Sequence, residues 1–158
     1  LCQKQLQVKK TDLANFIGCL TTTGAKMKFS NWLKVYGDKT YRNKKCPPES
    51  SEQITFFNVL RREYPELGAI AIHPRNEGKR SIQQTQKQKA EGMTAGASDI
   101  IIPGNPTFVC ELKRQDHTMS TWQPNQIAYL ENCKNNGSFV CVALGYKAAL
   151  EALEQWKK

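Results

Sequence analysis

Three residues carry the chemical potential of this chain: Asp99, Glu111 and Lys113, the last two inside the apolar stretch FVCELK at 108–113. Phe108, Val109, Cys110 and Leu112 suit a strand packed inside a small domain. Side chains two apart share a strand face, so Glu111 and Lys113 project side by side while Leu112 faces the other way. Charged side chains are seldom buried unless they are paired, bind a metal or take part in chemistry. Upstream, DIII and TFVCELK flank the turn sequence PGNP and read as a hairpin, in which Asp99 at the start of one strand meets Glu111 near the end of the other. Cross-strand neighbours have Cβ atoms about 5 Å apart. Two carboxylates so placed make an oxygen-rich pocket of the kind that hard cations such as Mg²⁺ favour. With Lys113 beside them to neutralise a phosphate oxygen or orient a water, the set suits phosphodiester hydrolysis: the metal lowers the pKa of its bound water, and metal and lysine stabilise charge building on the phosphate. Two blander readings stay open. Glu-x-Lys pairs also blunt solvent-facing sheet edges, and an Asp such as Asp99 also suits a turn or strand start.

The elements that must position these residues follow from periodicity and punctuation. Within 1–48, TDLANFIGCL reads as a short helix capped by Thr11 or Asp12, and FSNWLKVYG as another capped by Ser30. The basic run GDKTYRNKKCPP follows, and Pro47–Pro48 mark a boundary between an N-terminal helical extension, 1–48, and the main domain, 49–158. ESSEQITFFNVLRREYPEL opens that domain as a helix, with Ser50 and Gln53 as an S-x-x-Q capping box and Ile54, Phe57, Leu60 and Tyr64 at helical spacing. Glu52 falls in its first turn, where a carboxylate ordinarily complements the helix dipole. GAIAIHP reads as a short strand ended by Pro74. RNEGKRSIQQTQKQKAEGM has helix formers but almost no apolar face, which predicts a mobile loop or a loosely docked helix. After the hairpin come a helix over about 120–135 with Gly137 near its C-cap, the strand SFVCVAL, and the closing amphipathic helix YKAALEALEQW. The order predicts an α/β domain whose helices cover a small mixed sheet.

Composition narrows the partners. The 158 residues carry 23 Lys plus Arg against 14 Asp plus Glu, a net charge of +9 that favours an anionic partner, nucleic acid above all. The six cysteines form no C-x-x-C pair and only two histidines accompany them, which argues against a structural zinc site and for reduced thiols in a cytoplasm. No run approaches the roughly 20 apolar residues of a membrane helix, LCQKQLQVKK has no signal-like apolar core, and the absence of an initial Met is expected of a trimmed chain or a fragment. The expectation is a cytoplasmic protein with no membrane partner.

The sequence resembles the PD-(D/E)xK nuclease superfamily in its SD, hairpin and ELK, with Ser98 where that motif has proline. Its VRR-NUC branch is resembled over about residues 50 to 157 by SEQITFFNVL, HPRNEGKR, KAEGMTAGASDIII, FVCELK, MSTWQPNQIAYLENCKNNG and FVCVAL, in order. The resemblance implies a restriction-endonuclease-like core, a small mixed β-sheet flanked by helices. It implies that Asp99, Glu111 and the Leu112 backbone carbonyl bind Mg²⁺ or Mn²⁺, that Lys113 is the catalytic lysine, and that Glu52 is the first-helix acid helping to hold metal or water. Gln126 best matches the glutamine of the later helix, with Gln123 as the fallback, and either also suits a surface position. Asn76 and Gly78 match an Arg/Asn-Gly segment. His73 suits a catalytic base or a hydrogen-bonded histidine. Arg75, Asn76, Lys79, Arg80, Lys87 and Lys89 would hold DNA phosphates without reading sequence. Implied overall is a metal-dependent DNA endonuclease of phage, repair or recombination type acting on branched DNA such as four-way junctions, as some dimeric members do, in the host cytoplasm if phage-encoded. A non-catalytic nucleic-acid-binding protein on the same fold is the alternative, and an RNA-directed nuclease a third reading.

Overall fold

A computed structural model of the chain describes residues 27–74 and 81–158. Four strands form one sheet: β1 (Lys34–Tyr36), β2 (Ile100–Ile102), β3 (Phe108–Lys113) and β4 (Phe139–Leu144), in the order β1-β4-β3-β2. β3 runs parallel to β4 and β4 parallel to β1, while β2 is antiparallel to β3 in the register Ile100↔Cys110, Ile101↔Val109, Ile102↔Phe108. The helices are α1 (Glu49–Glu63), α2 (Pro65–Gly68), α3 (Ile82–Ala90), α4 (Gln126–Asn135) and α5 (Tyr146–Trp156). The α/β class and the small mixed sheet are as the sequence predicts.

Period-2 alternation sorts the sheet into two faces. Ile100, Ile102, Phe108, Cys110, Leu112, Cys141 and Ala143 pack against Phe56, Phe57 and Leu60 of α1 and against α5. The α5 contact is made by Ala148, Ala149, Ala152 and Leu153, three of them small enough to bring the helix close to the strands. On the opposite face Val109, Val142 and Leu144 pack with Leu33 and with Leu130 of α4. β3 is buried along its whole length, so the solvent-facing-edge reading of Glu-x-Lys does not hold.

Several local expectations are corrected. FSNWLKVYG is not a helix: a turn in which Leu33 N–H donates to the Ser30 carbonyl at 3.0 Å leads into β1, because Val35 and Tyr36 gain more by pairing with β4 than a short helix would gain alone. The sheet therefore takes an edge strand from ahead of Pro47–Pro48. The helix expected at TDLANFIGCL lies outside the described residues, as does the segment 75–80. Helix α1 starts at Glu49 on the N-cap Pro48, with no side-chain cap bond, so Ser50 sits inside the first turn instead of capping it. A capping box does form at another S-x-x-Q, where Ser81 and Gln84 exchange bonds at 3.2 and 3.0 Å to open α3. GAIAIHP contributes only one antiparallel bridge, Ile72 to Ile101. The helix expected from about 120 begins instead at Gln126: a short 3₁₀ turn at His117–Met119 precedes it, and Asn125, its N-cap, has the left-handed φ of 71°. No helix among the described residues is long and apolar enough to cross a membrane.

Candidate active site

Asp99 lies one residue before β2, and extending the β2–β3 register by one step sets it opposite Glu111. Its backbone leaves the ladder there, and its carboxylate Oδ2 instead accepts the Leu112 N–H at 3.0 Å. The carbonyl of a strand residue points to the same side as its N–H, so the Leu112 carbonyl is also turned toward Asp99. Glu111 and Lys113 share the face toward α4 and are 0% and 1% exposed. Lys113 Nζ lies 2.9 Å from Glu111 Oε1 and donates to Gln126 Oε1 at 3.2 Å. It sits 4.0 Å from Glu49 Oε2 and 5.4 Å from the centre of the Trp122 ring.

Gln126, the first residue of α4, holds this pair from above. Its amide nitrogen donates to Glu111 Oε1, and its oxygen accepts from Lys113 and, at 2.8 Å, from the Gln123 N–H. That donor pattern fixes which way the amide points. Gln123 therefore serves through its backbone. All this falls on Glu111 Oε1; Oε2 is buried and has no hydrogen-bond partner among the described residues. A buried, unpartnered carboxylate oxygen costs free energy unless something else satisfies it.

The electrostatics follow from crowding. Burial, and then the nearby Asp99 charge, push the Glu111 carboxyl up to about 8, with Lys113 opposing. Burial also lifts Asp99, against the Leu112 N–H bond and Lys113. For Lys113, burial favours the neutral amine, but Glu111 and Glu49 outweigh it and the ammonium is held above its ordinary value. Three carboxylates, Asp99, Glu111 and Glu49, thus bear on one ammonium.

Glu52 does not join them. One of its oxygens accepts from the Gln115 side chain and the other from the Tyr146 N–H, both at 2.8 Å, so it serves the first turn of α5. The first-helix acid beside the site is Glu49, three residues earlier, whose other oxygen accepts from Ser120 Oγ. A cap at Ser50 leaves Glu49 outside the helix; Pro48, at a position suited to a helix entry, is the sequence signal for a start at Glu49. Asp99, Glu111, Lys113 and Gln126 are brought together as the sequence suggests. His73 is close by, its Nδ1 at 2.8 Å from the Asp99 carbonyl oxygen, and lines a groove of about 370 Å³ running along α1 past Ser50, Phe57 and Arg61. Arg75, Asn76, Gly78, Lys79 and Arg80 lie outside the described residues. Lys87 and Lys89 are exposed on α3, which buries none of its residues.

A close approach fixes the segment before Asp99. Gly96 has φ +78°, and a Cβ there would stand 2.5 Å from the Asn125 carbonyl carbon and 2.7 Å from Gln126 N. Only glycine lets this chain pass the start of α4. Among the described residues no cluster of three or more His, Cys, Asp or Glu side chains forms a ready-made metal cage. Asp99, Glu111 with its unpartnered Oε2, and the Leu112 carbonyl are all oxygen donors, the type that suits Mg²⁺ or Mn²⁺.

No family model matches this sequence, and no curated protein matches it. Among solved structures, one described as a VRR_NUC domain protein is similar at 21% identity and a TM-score of 0.55, covering 71% of this chain and 89% of that one. The fold is thus that of a VRR-NUC domain.

Proposed function

We propose that this protein is a nuclease that hydrolyses phosphodiester bonds in DNA with a divalent cation, Mg²⁺ or Mn²⁺, held by Asp99, Glu111 and the Leu112 carbonyl. The observation that carries the reading is the crowding at the end of β3: the carboxyl groups of Asp99, Glu111 and Glu49 bear on the buried ammonium of Lys113, and Glu111 Oε2 is left without a partner among the described residues. Such a site is completed by a cation. The likeness to a VRR_NUC domain protein supports the same reading.

The bound metal would supply a water of lowered pKa and neutralise charge on the phosphate. The remaining work belongs to side chains. Lys113, kept protonated by Glu111 and Glu49, is the donor for a non-bridging phosphate oxygen or for orienting the water. Gln126 keeps Glu111 and Lys113 in register, since its amide binds both. Glu49 adds negative charge at the far side of Lys113 and is the position to accept a proton from water. His73 holds the Asp99 carbonyl and so the metal-ligating residue itself.

Among the described residues no helix is presented as a base-reading element, which favours selectivity by nucleic-acid shape, and a four-way junction is the substrate we propose. The test compares cleavage of a labelled junction with a linear duplex of the same arms in Mg²⁺, Mn²⁺ and EDTA. Metal-dependent cutting supports the nuclease, and preference for the junction supports shape selectivity. Binding without cutting in any metal refutes the nuclease. Equal cutting of both substrates refutes only the preference.

A further inference from the structure

We propose that the loop between β1 and α1, residues 38–46, is a nucleic-acid docking surface that holds the phosphate backbone through Lys39, Lys44 and Lys45. The inference rests on the nuclease reading for its substrate, and on separate observations for its place.

The first observation is charge. Lys39, Arg42, Lys44 and Lys45 fall within seven residues, all exposed, and no carboxylate pairs with any of them among the described residues. Asp38 offsets only part of this charge: its carboxylate acts on Arg42, while its Oδ1 accepts the Thr40 N–H and hydroxyl at 2.7 and 2.6 Å and pairs with none of the lysines. Four like charges on one short loop repel one another, and an external polyanion relieves that. The lysine side chains point free of the loop's own hydrogen bonds, whereas the Arg42 guanidinium is spent on the carbonyls of Lys39 and Tyr41 at 2.8 and 2.7 Å.

The second observation is anchoring. A solvated basic loop needs no fixed position, yet this one is tied to the residues just beyond Lys113. Asp116, 1% exposed, accepts the Asn43 N–H at 2.8 Å while its other oxygen accepts the Thr118 N–H and hydroxyl. Its hydrogen bond from the Thr118 hydroxyl, with further help from the Asn43 and Thr118 backbone N–H groups, holds that carboxyl below its ordinary value, so it stays ionised. The Arg114 guanidinium donates to the Cys46 carbonyl, and the His117 ring lies 3.1 Å from the Lys39 carbonyl. Cys46 is buried, and three residues later the chain reaches Glu49 beside Lys113. A buried carboxylate, a buried cysteine and an arginine are thus committed to holding four cations at the same end of the sheet as the candidate site. Backbone contacts of that kind position a substrate without reading its sequence.

The test is a salt titration of binding to a labelled DNA duplex in EDTA, so that binding is measured without cleavage. Each phosphate contact contributes about 0.9 to the slope of log K against log salt. The variant Lys39→Gln/Lys44→Gln/Lys45→Gln is compared with Lys134→Gln/Lys157→Gln/Lys158→Gln, which removes the same charge from the helix ends α4 and α5 at the other end of the sheet, where Trp156 donates to the Pro106 carbonyl. We expect the loop variant to lose about 2 to 3 from the slope and the control variant less than about 1. Equal losses in both, or an unchanged slope in the loop variant, overturn the docking surface, whether or not the parent cuts DNA. A parent that binds with a loop-dependent slope but never cuts supports the docking surface and refutes the nuclease; a parent that does not bind refutes both. Thermal unfolding of each variant confirms that these exposed substitutions leave the fold in place.

Discussion

Glu111→Gln replaces a crowded acid with the isostere of its protonated form, and its effect on metal-free stability can be worked from the site. The folded protein holds the Glu111 proton up to about 8, against an ordinary value of 4.5, because burial and Asp99 both disfavour the anion. A folded-state value above the unfolded one means that the folded state binds the proton more tightly. The stability this provides is complete below the unfolded value and is lost as pH rises from about 4.5 toward 8. At 1.36 kcal/mol per pH unit, lifting the carboxyl from 4.5 to about 8 caps the effect at about 5 kcal/mol. Relaxation around the charge leaves on the order of 2 kcal/mol of it to be observed. The assay is urea unfolding of parent and variant in EDTA at about pH 5 and pH 8. The two proteins should respond alike at the lower pH, where the parent acid is protonated in the folded state. By pH 8 the parent should have lost on the order of 2 kcal/mol relative to the variant. Titrating groups away from the site are common to both and cancel, while Asp99 and Lys113, which interact with Glu111, add their own smaller response. Added Mg²⁺ at pH 8 should return stability to the parent, by mass action on the folded state, and not to the variant. Parallel pH profiles for the two proteins would refute the crowding argument.

Other perturbations separate positions that the site treats differently. Lys113→Met should fold and should lower cleavage by at least about a hundredfold, the scale of losing one preorganised charge donor; cleavage at the parent rate would remove Lys113 from the mechanism. Glu49→Gln should weaken cleavage with little change in unfolding, whereas Glu52→Gln should cost about 1 kcal/mol of stability through its bonds to Gln115 and Tyr146 and spare the chemistry; the reverse pattern would restore Glu52 as the first-helix acid. Gly96→Ala should destabilise by more than about 1 kcal/mol, because its φ of +78° and the 2.5 Å approach to Asn125 both penalise a Cβ; urea unfolding unchanged by that substitution would contradict the close approach.

What could be read in the sequence, and what could not, has a physical pattern. Asp99, Glu111 and Lys113 were legible because hairpin register and period-2 alternation are short-range rules, and the β2–β3 pairing obeys them. Gln126 was legible only through resemblance, since nothing local says that the first turn of a helix will cap a strand fifteen residues back. β1 reads as helix in the sequence because three residues of strand carry too little periodicity; its conformation is decided by β4, more than a hundred residues away. The same is true of Glu49. Whether Glu49 or Glu52 faces Lys113 depends on how α1 is set against β3, which the order of residues in its first turn does not decide. The anchoring role of Asp116 was likewise invisible, because its partner Asn43 is 73 residues distant.

The most direct measurement is a crystal soaked in Mn²⁺ and an anomalous difference map at the manganese edge. The account predicts a peak between the carboxylates of Asp99 and Glu111 and within coordination distance of the Leu112 carbonyl, with Glu111 Oε2 as one of its ligands. No peak there at a Mn²⁺ concentration that supports cleavage, or a peak only at some other cluster of the molecule, would contradict it.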